Sequence, residues 1–324
     1  MKNVTGVLPG SLLVFLLCSA ASAQEKDWVD QGTQSRHQTG ERVFGREAGK
    51  LTPVLKENVR IGNHLMMWAD IAGRYNPLAV YGLVGVQFRH VYAVDEKLAI
   101  DWSYYTASAF VSVNPAYTQT AVDFSFVPWA FLQLRVEYSA FWWFGNSFGS
   151  LLAFPSGNSP FNWDVIDTMN GQEQTGVGQR VLFQPILTLQ YKFVVLRNQL
   201  DIAGMFFTGK GNYFFDQEYN VLVKNGSDLV IMNRTDLLFE AWDGPGNATF
   251  MLGPHYDTTW SMHADQHWQR AGAAFFCSPA DKLSVFDHLR IYVIAGTFLQ
   301  APDPYYYRNM FTIEGGFGSD FEFF

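Results

Sequence analysis

Residues 132–144 read Leu-Gln-Leu-Arg-Val-Glu-Tyr-Ser-Ala-Phe-Trp-Trp-Phe, and this stretch decides the fold. Leu132, Leu134, Val136, Tyr138, Ala140, Trp142 and Phe144 share one phase, while Gln133, Arg135, Glu137 and Ser139 share the other. Successive side chains of a strand point to opposite faces, so an extended chain here carries hydrocarbon on one side and charge on the other. A helix would spread the same residues around its circumference and separate nothing, which leaves the strand as the economical assignment.

The same period recurs along the chain. Val181, Phe183, Pro185, Leu187, Leu189, Tyr191 and Phe193 oppose Arg180, Gln184, Thr188, Gln190 and Lys192. Pro185 lacks the ladder donor, so a bulge or break is expected near it. Leu98, Ile100, Trp102, Tyr104 and Thr106 alternate with Lys97, Ala99, Asp101, Ser103 and Tyr105, and Leu200, Ile202, Gly204 and Phe206 oppose Asp201. Counting such runs gives about twelve strands, with ten or fourteen left open. They fall near residues 59–74, 78–94, 97–111, 119–127, 131–145, 179–194, 199–214, 229–242, 248–261, 266–277, 283–299 and 307–323. The count is softest between Tyr219 and His267.

Short links at 94–97, 127–130, 196–199 and 278–282 alternate with longer ones at 112–118, 145–178, 208–228 and 301–306; a tight turn at 74–77 is the exception on the long side. That alternation belongs to up-and-down membrane barrels, which have short turns at one end and long loops at the other. Composition agrees, because aromatic residues make up 17% of the chain and charged residues only 16%. Beyond the N-terminal leader no apolar stretch approaches the roughly 20 residues a membrane-crossing helix needs. The expectation is therefore an all-β, transmembrane, antiparallel up-and-down β-barrel over residues 59–324. A soluble β-sandwich, the rival, would put more Lys, Glu and Thr on its exposed strand faces.

The first 23 residues read as an export signal. Lys2 precedes the apolar run Leu12 to Leu17, and Ala21-Ser22-Ala23 forms the small-residue cleavage pattern, with Gln24 as the new N-terminus. Cys18 belongs to this leader, so one cysteine, Cys277, is expected in the mature chain, and no intramolecular disulfide. Residues 24–58 are polar and aperiodic, a periplasmic tail or a plug. The chain carries 22 basic and 30 acidic side chains, a net charge of −8, and has no basic stripe; nucleic acid is not an expected partner.

At the other end the sequence stops at Phe321-Glu322-Phe323-Phe324. A plausible last strand closing on Phe resembles the broad class of bacterial outer-membrane proteins, whose terminal aromatic residue is read by the barrel-assembly machinery through strand addition. Phe321 and Phe323 keep the apolar phase of Phe317, whereas Phe324 falls in the phase of Asp320 and Glu322. The resemblance implies the bacterial outer membrane as destination after Sec export and cleavage near Ala23, with membrane lipids and the assembly machinery as partners.

A barrel's inward positions are its functional inventory. Here they are Lys97, Asp101, Asp123, Gln133, Arg135, Glu137, Arg180, Gln184, Lys192 and Asp201. Both signs are present, as in a pore that sets ion or solute preference. The same residues also suit a pairing network that fills a narrow barrel. The expected function is a passive channel, a porin or a small-solute transporter. Two alternatives stay open: a non-conducting structural or surface-binding barrel, and a hydrolase with its site at the rim. The second rests on Ser261, His263, Asp265 and His267, which alternate on one strand face together with Asp257. Alternate residues stand about 7 Å apart along a strand, too far for the roughly 3 Å contact between a nucleophile and its base, so a partner from another strand would be required. If residues 265–267 form a loop, the shared face is lost. The sequence shows no phosphate-cradling glycine loop, paired-cysteine metal site or Gly-x-Ser-x-Gly elbow. No cofactor or metal is expected. The 145–178 segment is either an inward constriction or an exposed loop.

Overall fold

A computed structural model describes residues 61–75, 79–95, 100–129, 131–145, 151–159, 165, 168–169, 171–191, 193–243, 249–278, 282–283, 286–300 and 311–322. The leader, its cleavage position and the 24–58 segment lie outside the described residues, as do Lys97, Lys192, Phe323 and Phe324. In chain order the strands are β1 (Gly62–Tyr75), β2 (Ala79–Asp95), β3 (Ile100–Val113), β4 (Tyr117–Trp129), β5 (Leu132–Phe144), β6 (Ala153–Phe154), β7 (Thr175–Tyr191) and β8 (Val194–Thr208). They continue with β9 (Tyr213–Asp216), β10 (Val221–Lys224), β11 (Asp228–Asp243), β12 (Thr249–Ser261), β13 (Gln266–Ser278), β14 (Lys282–Leu283), β15 (Phe286–Gln300) and β16 (Phe311–Glu322).

Twelve long strands form one antiparallel ring, β1-β2-β3-β4-β5-β7-β8-β11-β12-β13-β15-β16, and the ring closes where β1 pairs with β16. Closure matters because an open edge would leave a row of unpaired amides, which lipid cannot satisfy. The two-residue β14 only extends the turn into β15. Asp101 lies on β3 and Phe321 on β16.

The alternation sorts side chains as expected. Val84, Val122, Phe124, Val136, Tyr138, Val181 and Phe183 are exposed on the outer wall, while Ser108, Ser125, Glu137, Ser139, Arg180 and Gln184 are buried inside. Aromatic rings collect outside at both ends of the ring. Tyr92, Phe126, Trp129, Phe131, Tyr191 and Phe193 lie at one end of the ring, and Tyr75, Phe144, Trp260 and Phe311 at the other, the end that carries a smaller inserted sheet. Trp129 and Phe131 stack at 5.7 Å between ring centroids. Such girdles seat a barrel between the two polar interfaces of a membrane.

Three expectations need correction. The link read as long at 112–118 is a tight turn, Asn114 to Ala116, closed by the Asn114 side chain accepting from the Ala116 and Tyr117 amides. The turn read at residues 196–199 falls inside β8. Its polar run mimics a turn, but Arg197 and Gln199 reach lumen partners, and Asn198 hydrogen-bonds Asn233 and Thr235 on the outer wall. The strand read at 199–214 ends at Thr208, and residues 213–216 belong to the separate β9. Near Pro185 the ladder is interrupted on one side only. Leu134 stays in register with Pro185, whereas the pairing of β7 with β8 skips Gln184 and Pro185, consistent with the proline's missing N–H facing β8.

β6, β9 and β10 make a second, three-stranded sheet, built from the two longest connections. It sits within the loop end of the ring. Phe214, Phe215, Tyr219, Val221, Leu222 and Val223 are buried against the inward Phe141, Trp143, Met205, Phe207, Trp268 and Phe298 of the wall. A second apolar layer, Val195, Leu238, Met251, Ala274 and Ile294, fills the turn end. Wall curvature over this layer depends on close backbone approach. A Cβ on Gly272 would lie 2.0 Å from the Ala295 carbonyl oxygen of the adjoining strand.

Candidate functional site

Between the two apolar layers lies a belt of charge. Glu137 on β5 is its centre: Arg135 Nη2 donates to Glu137 Oε2 at 2.6 Å, Arg180 Nη2 to Oε1 at 2.7 Å, and Ser139 Oγ to Oε1 at 2.6 Å. The alternation on β5 aims Arg135, Glu137 and Ser139 inward together, and register with β7 places Arg180 opposite Ser139. Arg135 also reaches Asp123 and Gln184, each at 3.4 Å, and Gln184 donates to Asp201 at 2.8 Å. Gln133 bonds Ser125 at 3.3 Å beside this network. Asp123, Gln133, Arg135, Glu137, Arg180, Gln184 and Asp201 thus come together on four neighbouring wall strands, β4, β5, β7 and β8.

A second half of the belt was not legible as a site. His255 Nδ1 lies 2.6 Å from Asp236 Oδ1, and its Nε2 lies 3.2 Å from Asp257 Oδ2. Arg270 grips Asp257 through Nε at 3.0 Å and also approaches Glu314 at 3.5 Å. Next along the ring, on either side of Gly318 of β16, Arg290 and Asp70 lie 3.5 Å apart. The signal was present in the period-two run His255, Asp257, Thr259, Ser261. Gly253 and Pro254, placed just before it, blur the strand reading.

The inserted sheet is fastened to this belt. Arg180 is ion-paired with Glu218 in the turn between β9 and β10, and its guanidinium stands over the rings of Phe141 and Tyr219 at 5.3 and 5.8 Å. Trp268 Nε1 donates to the Tyr219 carbonyl at 2.9 Å, and the Leu222 amide donates to Gln266 Oε1 at 2.6 Å. Gln266 in turn donates to the Gly157 carbonyl at 2.7 Å, tying the 151–159 segment to the same wall. Asn220 holds φ at 57° in the turn, a left-handed conformation that Asn tolerates better than most residues. Burial, with the neighbouring Glu218 carboxylate adding to it, pushes Asp216 up to about 6.

The fill is lopsided. Among the described residues, every buried apolar wall residue clustered with the inserted sheet comes from β5 or a later strand; from β1, Arg74 donates a hydrogen bond to the Gln217 carbonyl in the inserted turn. Some inward groups on and beside β1, β2 and β3 keep water, although Met66, Arg89, Tyr104, Thr106 and Phe110 there are buried. Tyr81 is 40% exposed, and the side chains of Asp70 and Arg290 are 33% and 23% exposed. Arg135 retains 24% and Glu314 17%.

The rim residues do not assemble as one strand face. Ser261 ends β12 and points inward, residues 262–265 form the turn, and His267 on β13 pairs with Trp260 and faces outward. Ser261 Oγ donates to Asp228 Oδ2 at 3.0 Å, and His263 Nδ1 lies 2.9 Å from Asp228 Oδ1. Both converge on Asp228, a residue the spacing could not bring in. A nucleophile needs its base in contact, and here the carboxylate stands between hydroxyl and imidazole. Asp265 occupies the turn with φ at 50°, and His267 Nε2 lies 2.9 Å from Thr258 Oγ1. Among the described residues no group of three or more His, Cys, Asp or Glu is placed to hold a metal ion.

No protein-family model and no curated protein matches the chain. Among solved structures it is similar to the β domain of the Bordetella autotransporter Brka, at 9% identity and a TM-score of 0.37, covering 80% of this chain and 98% of that one. It is also similar to CdiB from Acinetobacter baumannii, at 7% identity and a TM-score of 0.36, covering 81% of this chain and 60% of that one. An outer-membrane channel from Pseudomonas putida F1 matches at 8% identity and a TM-score of 0.36, with 81% and 97% covered. What decides the class is the closed ring itself, apolar outside and ionic within. The fold is that of the outer-membrane β-barrels. In such a barrel the belt lines or fills the lumen, and the inserted sheet narrows it from the loop end.

Proposed function

We propose that this outer-membrane barrel is a passive channel for small polar solutes or ions, narrowed at its loop end by the inserted β6-β9-β10 sheet. One observation carries the reading: Asp70, Tyr81, Arg135, Arg290 and Glu314 stay partly accessible to water in the lumen, although the inserted sheet is packed with hydrocarbon against β5 and later strands. A fully filled barrel would bury these groups in mutual pairs. Side chains of both signs along the open side give a passage suited to small polar species of either charge. The chain reaches the membrane by Sec export with cleavage near Ala23, and β16 is the strand offered to the assembly machinery. Both chain ends then lie on the periplasmic side with the short turns.

The non-conducting reading has its own support in the apolar seating of the inserted sheet. Conductance in planar bilayers separates the two. The channel reading expects small unitary currents from the full mature protein, and currents several-fold larger when residues 212–225 are replaced by a short Gly/Ser link. Absence of current from both proteins, each shown to be folded and inserted, removes it and leaves the structural role. The hydrolase reading predicts that replacing His263 and His267 by Ala abolishes a lipase, protease or deacylase activity; unchanged activity ends it.

A further inference from the structure

Most inward charges among the described residues are committed to one another. Arg135 and Arg180 share Glu137, Arg197 and His255 face Asp236, Arg270 holds Asp257, and Arg290 faces Asp70, each within 4 Å. Two groups on adjoining strands are not. Among the described residues the Arg234 side chain on β11 makes no hydrogen bond or ion pair, and its Nε is buried without a partner. Four carboxylates surround it, those of Glu314, Asp257, Asp201 and Asp236, yet none comes within 4 Å. Asp201 on β8 is the acid among them with no cation of its own. Gln184 and Gln199, both neutral amides, donate to its Oδ1 at 2.8 and 3.1 Å, and its Oδ2 receives no bond among the described residues.

Register sets the two side by side. Arg234 pairs with Gln199 and Met232 with Asp201, so on the inner face the cation and the acid are diagonal neighbours. Diagonal positions of a sheet lie about 7–8 Å apart, within easy reach of an arginine. A guanidinium presents its N–H donors in a planar fork that fits a carboxylate, and direct pairing with Asp201 would serve it. The structure instead leaves more than 4 Å between unserved donors and an unserved acceptor. Arg234 is only partly buried, so that gap opens to the lumen, with Asp201 set deeper.

We propose that this gap holds a small zwitterion of the α-amino-acid class, its carboxylate in the fork of Arg234 and its ammonium on Asp201 Oδ2. A lone anion would meet four carboxylates around its one cation, and a lone cation would meet Arg234 beside its acid. A zwitterion avoids both costs, because each of its ends neutralises a group that has no other close partner. An α-amino acid carries both charges on one carbon, and a charge-assisted hydrogen bond of about 2.7–2.9 Å at each end carries them across the opening. The proposal rests on the channel reading for the solute's access to the lumen, and names that solute.

Saturation-transfer NMR on the full mature protein in uncharged detergent micelles tests it. L-alanine is the zwitterion, propionate the same skeleton without the amine, and ethylammonium the same skeleton without the carboxylate. The expected result is saturation of the alanine methyl at least tenfold stronger than that of either single-charge analogue at equal concentration, and about tenfold weaker in Arg234→Gln and in Asp201→Asn. Asparagine keeps an oxygen for Gln184 and Gln199, so Asp201→Asn should retain the folded, heat-modifiable mobility of the parent. The comparison of the ligands on the unaltered chain stands even where Arg234→Gln fails to assemble. Propionate or ethylammonium binding as well as alanine, alanine binding unchanged in folded Asp201→Asn, or no saturation of alanine would each overturn the proposal. Planar-bilayer conductance is read separately: a barrel that conducts without binding alanine removes this proposal alone, and one that binds alanine without conducting removes the channel reading alone.

Discussion

Replacing Arg180 by Met should destabilise the barrel by about 3 kcal/mol, and adding Glu137→Leu should restore most of that loss. Arg180 and Glu137 have side chains only 4% and 3% exposed and are bonded at 2.7 Å. Removing one member of such a pair strands a buried charge, at a cost of about 3–5 kcal/mol. Glu137 keeps Arg135 at 2.6 Å and Ser139 at 2.6 Å, which argues for the low end of that range. The Glu218 contact adds little, since that carboxylate is 43% exposed and an exposed pair contributes less than about 1 kcal/mol. In the double variant the stranded charge is gone, and Arg135 still has Asp123 and lumen water. The coupling between the two sites should reach about 2 kcal/mol. Guanidinium unfolding in lipid vesicles, followed by tryptophan fluorescence, measures all four corners of the cycle. A single-variant loss below about 1 kcal/mol, or a double variant weaker than the single, would refute the description of the belt as a satisfied ionic layer.

Other outcomes follow from other parts of the molecule. On the outer wall Val136→Arg should cost about 2–4 kcal/mol by the same unfolding measurement, whereas a soluble sheet would tolerate it. Gly272→Val should block assembly, seen as loss of the fast-migrating folded band in unboiled gels, because its Cβ would meet the Ala295 carbonyl at 2.0 Å. Asp216 in the docked hairpin is raised to about 6, above the roughly 3.9 of an unfolded Asp. Docking is therefore penalised at neutral pH, and the penalty is relieved as pH falls through 6 toward 4. Amide exchange of residues 213–224, corrected for its intrinsic pH dependence, should slow between pH 7.5 and pH 5, and Asp216→Asn should remove the change.

Sequence alone carried the wall and one half of the belt. Alternation on residues 132–144 and 180–193 is strong because lipid and lumen impose opposite demands on adjacent residues. The other half, His255, Asp257, Arg270 and Glu314, depends on register between β11, β12, β13 and β16, and no local pattern reports which strands are neighbours. Asn198 shows the same limit. Among Arg197 and Gln199 it reads as turn, and only its pairing partners show a polar group looking outward. The inserted sheet was hidden for a related reason: Phe214 and Phe215, and then Val221, Leu222 and Val223, are apolar on consecutive positions, since β9 and β10 are buried on both faces and show no period.

Site-directed spin labelling along residues 132–144 in lipid vesicles puts the central claim to its most direct test. Labels at 134, 136, 138 and 140 should collide readily with dissolved oxygen and little with a water-soluble nickel reagent, and labels at 135, 137 and 139 should show low oxygen access, giving a two-residue oscillation. A flat profile, or one in which the even positions are shielded and the odd positions meet bulk water, would contradict a closed barrel with hydrocarbon outside and charge within.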